Sequence, residues 1–85
     1  KRSIVRERVS LIASMDYINR CIKERGEVLF STLCHELGMS REVVIVTFLA
    51  ILELIRRHRI GFEQPELFDD IRLLPYAAVA TAEVP

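Results

Sequence analysis

A Cys-His pair and an Asp-Asp pair are the places where this sequence could do chemistry. Cys34-His35 supplies a thiol and an imidazole side by side, and His58 is the only other histidine. Adjacent side chains on a helix or strand diverge, while metal ligands must converge, and no third ligand stands at a suitable spacing. Both histidines therefore read as ordinary surface or half-buried residues. Asp69-Asp70 could hold a cation or share acid-base work, but it falls in a predicted turn, where solvated carboxylates are common. The three glycines, 26, 38 and 61, are scattered and make no phosphate-binding loop. No Ser-His-Asp arrangement can be argued from spacing. The chain is expected to be a non-enzyme with no cofactor and no metal.

The elements around these residues are legible from periodicity. Val5, Val9, Ile12, Met15, Ile18 and Ile22 recur at helical spacing and predict helix 1 over about 4–25. Gly26, after Lys23 and Arg25, suits its C-terminal end. Val28-Leu29-Phe30 predicts a short strand, with Ser31 as N-cap of helix 2 over 32–37, closed by Gly38. Ser40 predicts a second N-cap and helix 3 over 41–57, with Glu42 in its first turn. Two helices joined by so tight a turn make a helix-turn-helix. The alternation of Ile60 and Phe62, then Ile71 and Leu73, predicts strands at 59–63 and 70–74, interrupted by Pro65. The resulting fold class is mainly α with a small β-hairpin: a winged helix-turn-helix domain over residues 1–75, with the wing at 59–74. Residues 76–85 form a C-terminal tail of no clear period.

With 85 residues there is room for one domain and one core, and little surface for a deep cleft as well. The chain starts at Lys1 without an initiator Met and reads as a piece of a longer protein. The run Val43–Ile55 is too short to span a bilayer. Cys21 and Cys34 form no CxxC; a disulfide between them is possible, but two buried free thiols in a reducing cytosol are expected. Formal charge is zero, with seven basic and three acidic side chains in residues 1–25. The wing is acidic, with Glu63, Glu66, Asp69 and Asp70 against Arg72 alone. Helix 1 reads as the solvated side of an amphipathic helix, since no aromatic interleaving accompanies its arginines.

Helix 3 is the informative segment. Between Val43 and Ile55, 11 of 13 residues are apolar, whereas a helix packed by one face needs little more than a third of its circumference apolar. Val44, Phe48, Ile51 and Ile55 fall within about 60° and make the expected core face. Ile45, Val46, Leu49 and Ala50 then point outward, where a DNA-reading helix would carry polar and basic side chains. Either a partner protein covers this stripe or the domain buries the helix all round. A domain this small struggles to surround a helix, which favours the partner. A DNA-binding winged helix of a transcriptional regulator and a self-dimerising winged helix are the competing readings, and the acidic wing argues against the first.

Four segments carry a family resemblance: Val5-Arg-Glu-Arg-Val-Ser-Leu-Ile; Phe30-Ser-Thr-Leu; Ser40-Arg-Glu-Val-Val-Ile-Val-Thr-Phe-Leu-Ala-Ile-Leu-Glu-Leu-Ile; and Gln64-Pro-Glu-Leu-Phe-Asp-Asp-Ile-Arg-Leu. Together, over about residues 4–74, they resemble the C-terminal domain of bacterial kleisins. The resemblance implies a winged helix that docks on the ATPase head of a structural-maintenance-of-chromosomes (SMC) protein and helps close a ring acting in chromosome condensation and segregation. It implies a cytoplasmic, nucleoid-associated protein without sequence-specific DNA binding. It also implies a partnership with segregation and condensation protein B through a region absent here. The implied contact residues are Ile45, Val46 and Leu49, with Ile71 and Leu73 as an edge for β-strand addition. Thr47 and Ile51 form an alternative contact line.

Overall fold

The computed structural model describes residues 10–66 and 69–77. Helix α1 runs Leu11–Arg25. Ser10 is extended, and its hydroxyl accepts from the Ala13 N–H at 3.1 Å, which starts the helix at Leu11. Residues 4–9 of the expected helix lie outside the described residues. The helix buries Ser14, Ile18, Cys21 and Ile22 on one face and stops at Gly26, whose φ of +87° few side chains tolerate.

Strand β1 is Val28–Leu29, and helix α2 follows at once as Phe30–Leu37. Here the local reading needs correction. Ser31 is not the N-cap but the second residue of the helix, because the helix is capped from elsewhere. The cap position, Leu29, offers no side-chain acceptor. The Asp70 carboxylate instead accepts from the Ser31 N–H at 3.2 Å and from the Ser31 hydroxyl. The Phe30 N–H bonds to the Ile71 carbonyl at 2.9 Å. A carboxylate from the wing thus serves donors that a helix N-terminus leaves unpaired, and Asp70 is not merely a solvated turn residue.

Gly38 at φ +113° and Met39 at φ +55° make the turn of the helix-turn-helix. Ser40 then accepts from the Val43 N–H at 3.0 Å and caps helix α3, Arg41–Arg56. Strands β2, Ile60–Glu63, and β3, Arg72–Pro75, form the hairpin. The Gln64 side chain donates to the Asp69 carbonyl at 2.7 Å and ties its loop. Pairing is antiparallel throughout, in the order β1-β3-β2, with Leu73 opposite both Val28 and Phe62. Among the described residues, three helices and a three-stranded sheet make the mainly helical winged helix that the sequence predicts, with β1 completing the sheet.

All the main elements meet in one core. Ile18, Leu33, Leu54, Ile60 and Leu73 are fully buried, each contributing roughly 1.5–3 kcal/mol over exposure. A polar clamp fixes α2 on α1: the Tyr17 hydroxyl donates to Glu36 at 2.6 Å, and the Arg25 guanidinium donates to the same carboxylate at 2.9 and 3.3 Å. Both cysteines are buried.

Candidate partner-binding face

Helix α3 turns a different face to the core from the one expected. Val43, Thr47, Ala50, Ile51 and Leu54 are buried, an arc rotated by roughly a quarter turn from Val44, Phe48, Ile51 and Ile55. Of the expected four, only Ile51 is fully buried; Val44 and Ile55 are half-buried and Phe48 is exposed. Ala50, expected outward, is wholly buried. The helix is so apolar that hydrophobicity hardly distinguishes one arc from another, and the small Ala50 side chain lets neighbouring elements approach closely. The price is Thr47, whose hydroxyl is fully buried and has no hydrogen-bond partner among the described residues.

The opposite side of α3 carries a continuous apolar stripe. Ile45, Phe48, Leu49 and Leu52 are exposed by 51%, 43%, 48% and 47%. Their i, i+3, i+4, i+7 spacing places them on one face about 100° wide. Val46 is half-buried at its margin. Phe48 leans edge-on against Phe30 of α2, with ring centroids 6.2 Å apart and planes at 74°, a favourable aromatic geometry. Sequence reasoning missed Phe48 and Leu52. Their spacing from Ile45 and Leu49 was the available signal, hidden by the wrong choice of core face.

Four expected contact residues prove to be buried or half-buried. Ile51 is 2% exposed and lies in the core, and Thr47 beside it is buried as well, so that line faces inward. Leu73 is buried in β3, the middle strand, which has neighbours on both sides and no edge to offer. Ile71 is half-buried just before β3, with its carbonyl already taken by Phe30. The sheet's edges are β1 and β2, and β2 exposes Phe62.

Charge at the C-terminal end of the stripe is paired within the fold. Glu53 accepts from Arg56 at 2.6 Å and from Arg57 at 2.5 Å. Those bonds, Arg56 first, hold its carboxyl down at about 2. On the wing, Glu63 lies 3.7 Å from Arg72. The fold brings Asp70 near Cys34, but the carboxylate is engaged by Ser31 and the Cys34 side chain is buried. Burial, and secondarily the charge of Asp70, pushes the Cys34 thiol up, away from the thiolate a nucleophile needs. His35 Nδ1 lies 3.1 Å from the carbonyl of Ser31, one turn back. Among the described residues no three His, Cys, Asp or Glu side chains group to hold a metal, and no helix is long and apolar enough to cross a membrane.

Comparison with known proteins adds what geometry alone does not. The family profile described as "Segregation and condensation protein ScpA" matches residues 3–74. The chain belongs to the ScpA family. Similar proteins named "Segregation and condensation protein A" occur in Myxococcus xanthus, 40% identical over 88% of this chain, and in Brevibacillus brevis, 35% identical over 81%. Another, from Clostridium acetobutylicum, is 42% identical over 76% of the chain. The aligned parts are 26%, 27% and 26% of those relatives, so the chain spans about a quarter of a ScpA protein.

Proposed function

We propose that this chain is the C-terminal docking domain of a kleisin, that it binds the ATPase head of an SMC protein, and that it does so through the α3 stripe. The observation that carries the reading is the row Ile45, Phe48, Leu49 and Leu52, about half exposed on a helix whose opposite side is buried in the core. Covering such a row removes apolar surface from water at roughly 25 cal/mol per Å². Val46 lies at the rim of the contact, and β2, as a free sheet edge, replaces the 71–73 strand as the place for strand addition. Membership of the ScpA family supports a role in chromosome segregation and condensation and supplies the class of partner. The domain acts by binding and not by catalysis, in the cytoplasm at the nucleoid. Segregation and condensation protein B engages a part of the protein outside this chain.

Leu49→Glu tests the contact. It puts a charge in the middle of the stripe without touching the core, so circular dichroism is expected to stay unchanged. Co-elution with the SMC head is expected to be lost, as a central contact contributes about 2–4 kcal/mol, a factor of roughly 30 or more in Kd. Undiminished binding by the folded variant rejects this face. Tight, salt-sensitive binding of duplex DNA, or a concentration-dependent dimer dissociated by Leu49→Glu, would replace the reading with a nucleic-acid or self-pairing one.

A further inference from the structure

The wing motif around Asp70 is not absorbed by the stripe, yet its carboxylate reaches across the fold to the stripe's neighbour. Asp70 accepts from the Ser31 N–H at 3.2 Å and from the Ser31 hydroxyl, and also from the Ile71 N–H at 2.9 Å. The adjacent Phe30 N–H bonds to the Ile71 carbonyl at 2.9 Å. The first turn of α2 is thereby held to the wing by three bonds, two of them charge-assisted and so stronger than neutral ones. Phe30 is the first residue of that turn. Its ring packs on the core and meets Phe48 edge-on at 6.2 Å. A path of direct contacts therefore runs from Asp70 through Ser31 and Phe30 to an exposed ring in the stripe.

We infer that Asp70 and Ser31 are positioning residues for docking: their clasp fixes Phe30, and Phe30 fixes the ring of Phe48 in the orientation the partner meets. This rests on the reading of the α3 stripe as the docking face. Without the clasp, α2 loses the side-chain cap at its first turn, Phe30 gains freedom, and Phe48 must be ordered anew on each encounter. Preorganisation of this kind lowers the cost of binding without adding a contact.

A double-mutant cycle with the SMC ATPase head tests it, by calorimetric titration of the chain. Ser31→Ala and Asp70→Asn are each expected to weaken binding roughly five- to tenfold, while both variants keep a folded circular dichroism spectrum at the titration temperature. Ser31→Thr, which retains the hydroxyl, is expected to restore most of the affinity. In a Phe48→Ala background the clasp variants are expected to cost nothing further, because the group they position is gone. An unchanged penalty in that background, or full affinity of folded Ser31→Ala, overturns the inference while leaving the docking face intact. If Phe48→Ala and Leu49→Glu both bind normally, the docking face itself fails and the inference falls with it. Should Asp70→Asn not fold, the Ser31→Ala arm decides.

Discussion

Thr47 and Tyr17 show how single side chains set the domain's limits. The Thr47 hydroxyl is buried without a partner among the described residues, a condition that typically costs about 1–3 kcal/mol. Valine has nearly the same shape, so Thr47→Val is expected to stabilise the chain by about 1 kcal/mol. In a thermal melt that is a rise of roughly 4–8 °C; a fall would show that the hydroxyl is bonded in solution. Tyr17 is pushed up to about 12, first by its hydrogen bond to Glu36 and then by burial. A phenol raised in the folded state stabilises the fold while protonated, so its contribution is full below its ordinary value near 10 and vanishes as pH climbs through about 12. Glu36 is lowered by Arg25 first and Tyr17 second, and Glu53 is lowered to about 2 by Arg56 and Arg57. Carboxylates lowered in this way contribute fully above their ordinary 4.5 and lose that contribution as pH falls below it, for Glu53 on the way to about 2. Melting temperature against pH is therefore expected to show a plateau between these limits and to fall on both sides. Tyr17→Phe should reduce the alkaline fall and leave the part due to the buried Cys34 thiol; an unchanged fall would show that the Tyr17–Glu36 bond does not form.

At the scale of elements, what was legible in the sequence was local and what was not depended on distant residues. Ser40 caps α3 and Gly38 turns into it by geometry that only a few neighbouring residues decide, and both were readable. Ser40→Ala is expected to cost about 1 kcal/mol, seen as a melting temperature lower by roughly 4–8 °C. The start of α2 was not readable, because its cap comes from Asp70, 39 residues further along. The rotation of α3 was not readable either. With 11 apolar residues in 13, the core face is chosen by packing against α1 and the sheet, and Thr47 at its centre gave a misleading polar signal. That quarter turn moved Phe48 from expected core to surface and Ala50 from expected surface to core, while Ile51, read both as core and as an alternative contact, is core. The outward positions Ile45 and Leu49 fell within the observed exposed arc.

On the scale of the whole molecule, the winged helix is closed where a strand-adding partner was first expected to enter. β3 lies between β1 and β2, so Leu73 seals the core and leaves the edges to the other two strands. A second opening, a cleft of about 480 Å³ beside the N-terminal end of α1, is lined by exposed Leu11 and Ile12 but also by Asp16, Glu53, Arg57 and Arg59. That mixture of charges is unlike the uniformly apolar α3 row, and it gives the docking account a clear competitor on the same molecule. Methyl NMR of the isotopically labelled chain, titrated with the SMC ATPase head, separates the two most directly. The methyl signals of Ile45, Leu49 and Leu52 are expected to shift or broaden first, with those of buried Ile18 and Leu33 little changed. Perturbation confined to Leu11 and Ile12, with the α3 row unmoved at saturation, would contradict the account.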